Sequence, residues 1–273
     1  MQIYPLSFRE YLSFKGINTD TKLDVGRNLT EISAALDRYL VDGGFPAVAL
    51  SESKNELLNS YFDTVLVKDV ASGYKIRSEE KLRLLAKFYL TNISHAITYN
   101  SISKFTKIPT KTVERFSGYI ANAYMLFFVK RFSFSLKEQE NSPRKVYSED
   151  NGMSFAAGFN SAIGKGALAE NVVAVELMRR GKEIYYWKDT VSGKEVDFIV
   201  KEGNRHELIQ VAENVGNLDT LKREKSALQA AMRKFRAKTS SIVVTEPQKE
   251  DIAKELLRKG IRTKLLWQFL LEG

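Results

Sequence analysis

Gly193-Lys194-Glu195-Val196-Asp197-Phe198-Ile199-Val200, followed by Leu208-Ile209-Gln210-Val211-Ala212, decides how the last third of this chain folds. Both runs are rich in β-branched and aromatic residues and are bounded by turn pairs, Ser192-Gly193 and Gly203-Asn204, so they read as adjacent strands. Alternation puts Glu195 and Asp197 on one face and pairs Gln210 with Ala212, while Glu207 has the opposite parity to Gln210. A third strand is predicted at Glu183 to Trp187. Before it, Gly166 to Arg180 reads as a helix with Leu168, Val172, Val175 and Met178 along one face, ended by Gly181. After it, a long helix from Asp219 turns Leu221, Leu228, Met232 and Phe235 inward and exposes Lys222, Lys225, Gln229 and Arg233. Strands at Ser241 to Thr245 and Ile261 to Leu266, around a helix at Asp251 to Lys259, complete a mixed α/β layer.

Upstream the periodicity changes. To about Tyr74 the chain reads as helical, broken by Asp42-Gly43-Gly44-Phe45-Pro46, where two glycines and a proline force a turn. Leu29 to Leu40 and Glu52 to Val70 are the predicted flanking helices. From Glu79 three short helical segments precede apolar strands, the element order of a winged helix-turn-helix. Leu82, Leu85, Ala86 and Tyr89 form the stripe of the first helix, Ser101 opens the second, and Thr110 is the expected N-cap of a third running through Ala123. Val113, Phe116, Ile120 and Tyr124 give that third helix its apolar face, leaving Lys111, Arg115, Tyr119 and Asn122 opposite. Met125 to Phe134, a polar tip at Lys137 to Arg144, and Lys145-Val146-Tyr147 read as the wing hairpin. The exposed cations suit phosphates and base edges; a docking or dimerisation module with a solvated face is the alternative.

The 273 residues, 44% hydrophobic and 27% charged, suffice for more than one core and exclude wholesale disorder. The absence of cysteine excludes disulfides and thiolate chemistry. Two distant histidines, His95 and His206, exclude a histidine-ligated zinc hydrolase of the H-E-x-x-H kind. No apolar run reaches membrane-span length, and a cytoplasmic location is expected. The net charge of +9 points to a polyanionic partner. Seven basic residues against two acidic ones fall between Asp219 and Lys238, so the Lys222, Lys225 and Arg233 face reads either as a phosphate track or as a solvated helix.

Glu170 on its helix, Asp197 on its strand and the Leu208 to Ala212 strand resemble the restriction-endonuclease-like nuclease core. In that core a helix acid, a strand Asp and a following E-x-K strand collect around a metal ion. Carboxylates hold Mg²⁺, which polarises the phosphate, and a lysine assists the attacking water. Matched by position, Asp197 and Glu170 are the implied metal ligands, but the E-x-K has become Gln210-Val211-Ala212. Gln210 brings no charge and Ala212 no proton, so the resemblance implies a degenerate site. A lysine relocated from Lys222 or Lys225, giving a Mg²⁺-dependent DNA nuclease, is the competing expectation.

A wider resemblance covers nearly the whole chain. Tyr4-Pro5-Leu6-Ser7-Phe8-Arg9-Glu10-Tyr11-Leu12, the segment from Tyr39-Leu40 to Gly43-Gly44-Phe45-Pro46, and the two strands above are similar to a family of prokaryotic, archaeal-type AAA+ ATPases. In that family a helical lid, a winged-helix module and a nuclease-like domain follow the nucleotide-binding core. The implied division is 1–75 helical lid-like, 76–150 winged helix-turn-helix and 151–273 nuclease-like α/β. The match begins where the ATPase core would have ended, so Met1 is expected to open a truncated chain. Gly158 to Lys165 has five intervening residues where a P-loop needs four, and Gly166 stands in place of Ser or Thr. Neither ATP binding nor hydrolysis is therefore expected of this chain. The resulting expectation is a DNA-binding, non-ATPase portion of an AAA+ protein, with a module that docks on a separate ATPase subunit as a further alternative.

Overall fold

The computed structural model describes residues 3–157 and 163–272. Most of the Gly158 to Lys165 stretch lies outside the described residues. The fold is mixed α/β with two sheets, as the alternation predicts. The chain divides into two compact units, Met1–Phe128 with Pro143–Val175, and Val129–Ser142 with Glu176–Gly273.

The first unit opens with α1 (Phe8–Phe14), α2 (Lys22–Arg27), α3 (Leu29–Asp42), α4 (Pro46–Leu50) and α5 (Lys54–Thr64). Capping boxes at Ser7 with Glu10 and at Thr21 with Asp24 start the first two. The helix predicted over Glu52 to Val70 is in fact two elements, because after Thr64 the backbone widens into a π-helix, Val65–Ser72. Leu66 and Ala71, five residues apart, are both buried there, a spacing that the wider π turn brings onto one side.

Next come α6 (Glu79–Thr91), β1 (Ala96–Ile97), α7 (Tyr99–Thr106), α8 (Thr110–Asn122) and β2 (Leu126–Lys130). They are followed in the chain by α9 (Leu136–Asn141), which belongs to the second unit, and then by β3 (Arg144–Ser148), α10 (Asn151–Ala157) and α11 (Lys165–Arg179). Two predicted caps shift. Thr98, not Ser101, caps α7, and Ser101 is the third residue of its capping box. Thr110 is the first residue of α8, whose N-cap is Pro109, without a side-chain bond. Val113, Phe116 and Ile120 are buried as expected. Tyr124 is not, since α8 has ended and Tyr124 takes a left-handed φ of 54° that points it outward, 62% exposed. The strands pair in the order β1-β3-β2, with β1 antiparallel to β3. The expected polar tip carries α9, capped by Ser135. Leu82, Leu85, Tyr89, Ile102, Val113 and Ile120 are in the core of this unit.

In the second unit β4 (Glu183–Lys188), β5 (Glu195–Glu202), β6 (Arg205–Ala212), β7 (Ser240–Val244) and β8 (Ile261–Leu265) form one sheet in sequence order. β4, β5 and β6 are antiparallel neighbours; β7 and β8 run parallel to β6. The parallel steps need crossovers, supplied by α12 (Leu218–Phe235) and α13 (Glu250–Arg258), and α14 (Leu266–Leu271) ends the chain. Val196, Ile199, Leu208, Leu221, Leu228 and Ile242 anchor the core. His206 packs edge-on against Phe132 at 5.2 Å, and burial holds its imidazole below the ordinary histidine value.

Candidate functional site

Two places in the fold gather the residues that the sequence singled out. The first is the exposed side of α8. Its buried stripe faces the core, so Lys111 and Arg115, four residues apart, lie exposed on the same side of the helix. Beside Arg115 is a cavity of about 380 Å³ lined also by Tyr74, Lys75, Arg77, Lys81 and Tyr119. Tyr74 and Tyr119 stack at 3.7 Å between centroids with planes 10° apart, and Asn122 donates to the Tyr74 hydroxyl at 3.2 Å. Among the described residues, no carboxylate pairs with Lys75, Arg77, Lys81, Lys111 or Arg115. Arg115 instead lies over the Phe116 ring, 5.7 Å from its centroid.

Sequence reasoning found Lys111, Arg115, Tyr119 and Asn122 and missed Tyr74, Lys75, Arg77 and Lys81. The local signal was there, since Tyr74-Lys75-Ile76-Arg77 followed by Lys81 interleaves an aromatic with cations just ahead of α6. Only the fold brings that run beside α8.

The second place is the end of the β5–β6 ladder. Backbone pairing closes at Phe198–Ile209. One position further the side chains take over: Gln210 Oε1 accepts the Asp197 backbone N–H at 3.2 Å, and Asp197 Oδ2 accepts the Val211 N–H at 3.0 Å. Asp197 and Gln210 are 5% and 6% exposed, so an unmatched donor here would be costly. Gln suits this position because a neutral amide oxygen satisfies a backbone N–H without setting a second negative charge beside Asp197.

Glu170 lies in the first unit, where it receives hydrogen bonds from Lys145 Nζ at 3.0 Å and the Tyr147 hydroxyl at 2.7 Å. Lys145 is 2% exposed, so this is a buried ion pair with a tyrosine completing it. Next to it Asn171 bonds Ser148 on both its amide nitrogen and its oxygen. Among the described residues, no three His, Asp or Glu side chains gather in a way that could hold a metal ion.

On α12, Lys222 and Arg233 are exposed, while Lys225 is partly buried and reaches across to Glu255 at 2.6 Å. That pair draws the Glu255 carboxyl below its usual range. The Lys222 face is thus less uniformly cationic than the sequence suggests. No helix among the described residues is long and apolar enough to cross a membrane.

Comparison with known proteins gives two domain matches. Residues 33–162 match a domain of unknown function, DUF8612. An uncharacterized protein of Methanocaldococcus jannaschii is 29% identical over 244 residues, covering 85% of this chain and 53% of the relative. An uncharacterized protein of Haemophilus influenzae is 26% identical over 232 residues, covering 81% and 56%. The chain spans about half the length of the curated relatives it matches. No solved structure matches. Residues 165–259, which hold Glu170, the Asp197–Gln210 pair and α12, match the domain of unknown function DUF4143.

Proposed function

We propose that this chain is the DNA-binding, non-ATPase portion of an AAA+ family protein, gripping duplex DNA through α8 and carrying a nuclease-like scaffold that does not cut. The observation that carries the reading is the set of four cations without carboxylate partners, Lys75, Arg77, Lys81 and Arg115, around the Tyr74–Tyr119 stack, with Lys111 exposed one turn before Arg115 on α8. Side chains of this kind neutralise phosphates and release counterions, and the second helix of a helix-turn-helix is the element that enters the major groove. The α7–α8 pair with β1, β3 and β2 supports a winged-helix description of this region.

The order α11, three strands, α12, then β7 supports the restriction-endonuclease-like reading of the second half. The bonds at Asp197 and Gln210 support its being inactive, since the groups that would face a metal are engaged with main-chain donors. The DUF4143 match supports an AAA-ATPase-associated setting, because that domain is typically found in such proteins. ATP chemistry is assigned to another domain or subunit.

The test is fluorescence anisotropy with a labelled duplex over a series of salt concentrations. Affinity should fall steeply with salt, and Lys111→Ala with Arg115→Ala should lower the logarithmic salt slope by roughly 0.9 per lost phosphate contact. Unmeasurable binding at low salt, or a slope untouched by the pair, sinks the reading. Cleavage of the same duplex in Mg²⁺ that Asp197→Ala abolishes would favour the nuclease instead.

A further inference from the structure

A cavity of about 500 Å³ opens where β6, β7 and β8 begin, lined by Arg205 and His206 of β6, Ser241 of β7, Arg262 of β8, and Phe235, Arg236 and Lys238 at the end of α12. Arg205 and Gln210 are five positions apart on β6, so this mouth stands roughly 17 Å along the strand from the Asp197–Gln210 pair. It belongs to neither place described above. Its volume falls in the range that encloses a small organic ligand.

The lining is built for an anion. Arg205, Arg236, Lys238 and Arg262 come from three strands or their approaches and one helix end, and all are exposed. Two carboxylates share the lining, Glu202 and Glu207. Glu202 is already paired with Lys182, which with Arg205 lowers its carboxyl, and Glu207 is the other carboxylate of the lining. Among the described residues no carboxylate pairs with Arg236, Lys238 or Arg262. The Ser241 hydroxyl and the His206 imidazole, held against Phe235 at 5.4 Å, add polar groups and a ring edge.

Arg236 makes the strongest single case. It caps α12 in the left-handed conformation, φ 53°, where glycine is the residue of least cost. An arginine there is more costly than glycine, and Arg236 is among the residues lining the cavity.

We infer that this cavity binds the phosphate group of a nucleotide, with the guanidinium groups of Arg236 and Arg262 as its main ligands. Arginine's planar fork matches phosphate oxygens bidentately. The same chemistry is offered by a free mononucleotide and by the 5′-phosphorylated end of a DNA strand. The inference does not depend on duplex binding through α8.

Titration calorimetry on the full chain, with pyrophosphate, deoxyadenosine monophosphate and a ten-nucleotide single strand bearing either a 5′-phosphate or a 5′-hydroxyl, tests it. Each phosphate-ended probe should bind, and Arg236→Gln with Arg262→Gln should weaken binding by roughly tenfold or more. Lys111→Ala with Arg115→Ala should leave pyrophosphate binding unchanged. Arg236→Gly separates ligand loss from misfolding: relief of the left-handed strain should keep or raise thermal stability while phosphate affinity falls. Tighter binding of the mononucleotide than of pyrophosphate identifies the free nucleotide as the source; preference for the 5′-phosphate strand over its 5′-hydroxyl twin identifies the strand end. Absence of pyrophosphate binding at about 5 mM, or equal binding by the wild type and the double glutamine variant, overturns the inference.

Discussion

Asp150 accepts the backbone N–H of Gly44 at 2.6 Å across 106 residues of sequence, while its other oxygen takes the N–H groups of Gly152 and Met153. This one carboxylate ties the turn after α3 to the start of α10 and explains Gly43, whereas a Cβ on Gly44 would stand 2.5 Å from the Leu6 carbonyl oxygen. A Cβ on Gly43 would stand 2.0 Å from Asp150 Oδ1, and its φ of 77° is already left-handed.

Gly43→Ala should therefore destabilise the chain by about 2–4 kcal/mol, through both the clash and the backbone strain. Urea unfolding followed by circular dichroism measures it. An unchanged midpoint would mean that the turn is not held as described.

The same carboxylate sets a pH dependence. Complete burial pushes Asp150 up from 3.8 to about 6, against the lowering effect of its three backbone donors. Between about pH 4 and pH 6 the native state binds a proton that the unfolded chain has released, so stability falls as pH rises through that window and levels off above it. The loss is on the order of 3 kcal/mol. Subtracting the profile of Asp150→Asn from that of the wild type should isolate this slope; parallel profiles would refute it.

Lys145→Met should cost about 3–5 kcal/mol, because it removes the buried ammonium that pairs with the Glu170 carboxylate. Adding Glu170→Gln should recover part of that loss, and a double-mutant cycle gives the coupling. Additive losses would show that the pair does not interact.

Arg77→Ala with Lys81→Ala should weaken duplex affinity and reduce the salt slope by about 2, uniformly across DNA sequences, if these residues contact phosphates beside α8. A sequence-dependent effect would instead assign them to base edges.

Much of the architecture was legible from pattern: Val113, Phe116 and Ile120 recur at helical spacing, and the β5 and β6 runs are short, largely apolar stretches bounded by turns. Errors came where two local signals competed. Ser101 read as the opening of α7, and only the backbone shows that Thr98, three residues earlier, precedes the helix. Tyr124 continued the apolar stripe in sequence after the helix had stopped. The polar residues of α9 carry no apolar face to announce a helix; Ser135 starts it by capping alone. Clusters assembled from distant segments were invisible for a simpler reason. Tyr74 and Tyr119 are 45 positions apart, and Arg205 and Arg262 are 57 apart, so no window of sequence contains both members. Asp197 and Gln210 stood out as chemistry, whereas their role as stand-ins for main-chain pairing could be seen only with both strands in place.

That substitution of side chains for backbone bonds has a consequence for drift among related chains. Asp197 and Gln210 each satisfy a polar group belonging to the opposite strand, so a change at either position abandons an amide that its neighbour cannot reach. Each position therefore carries its own constraint, and the persistence of both in relatives would record a requirement of strand joinery even where no phosphodiester is ever broken.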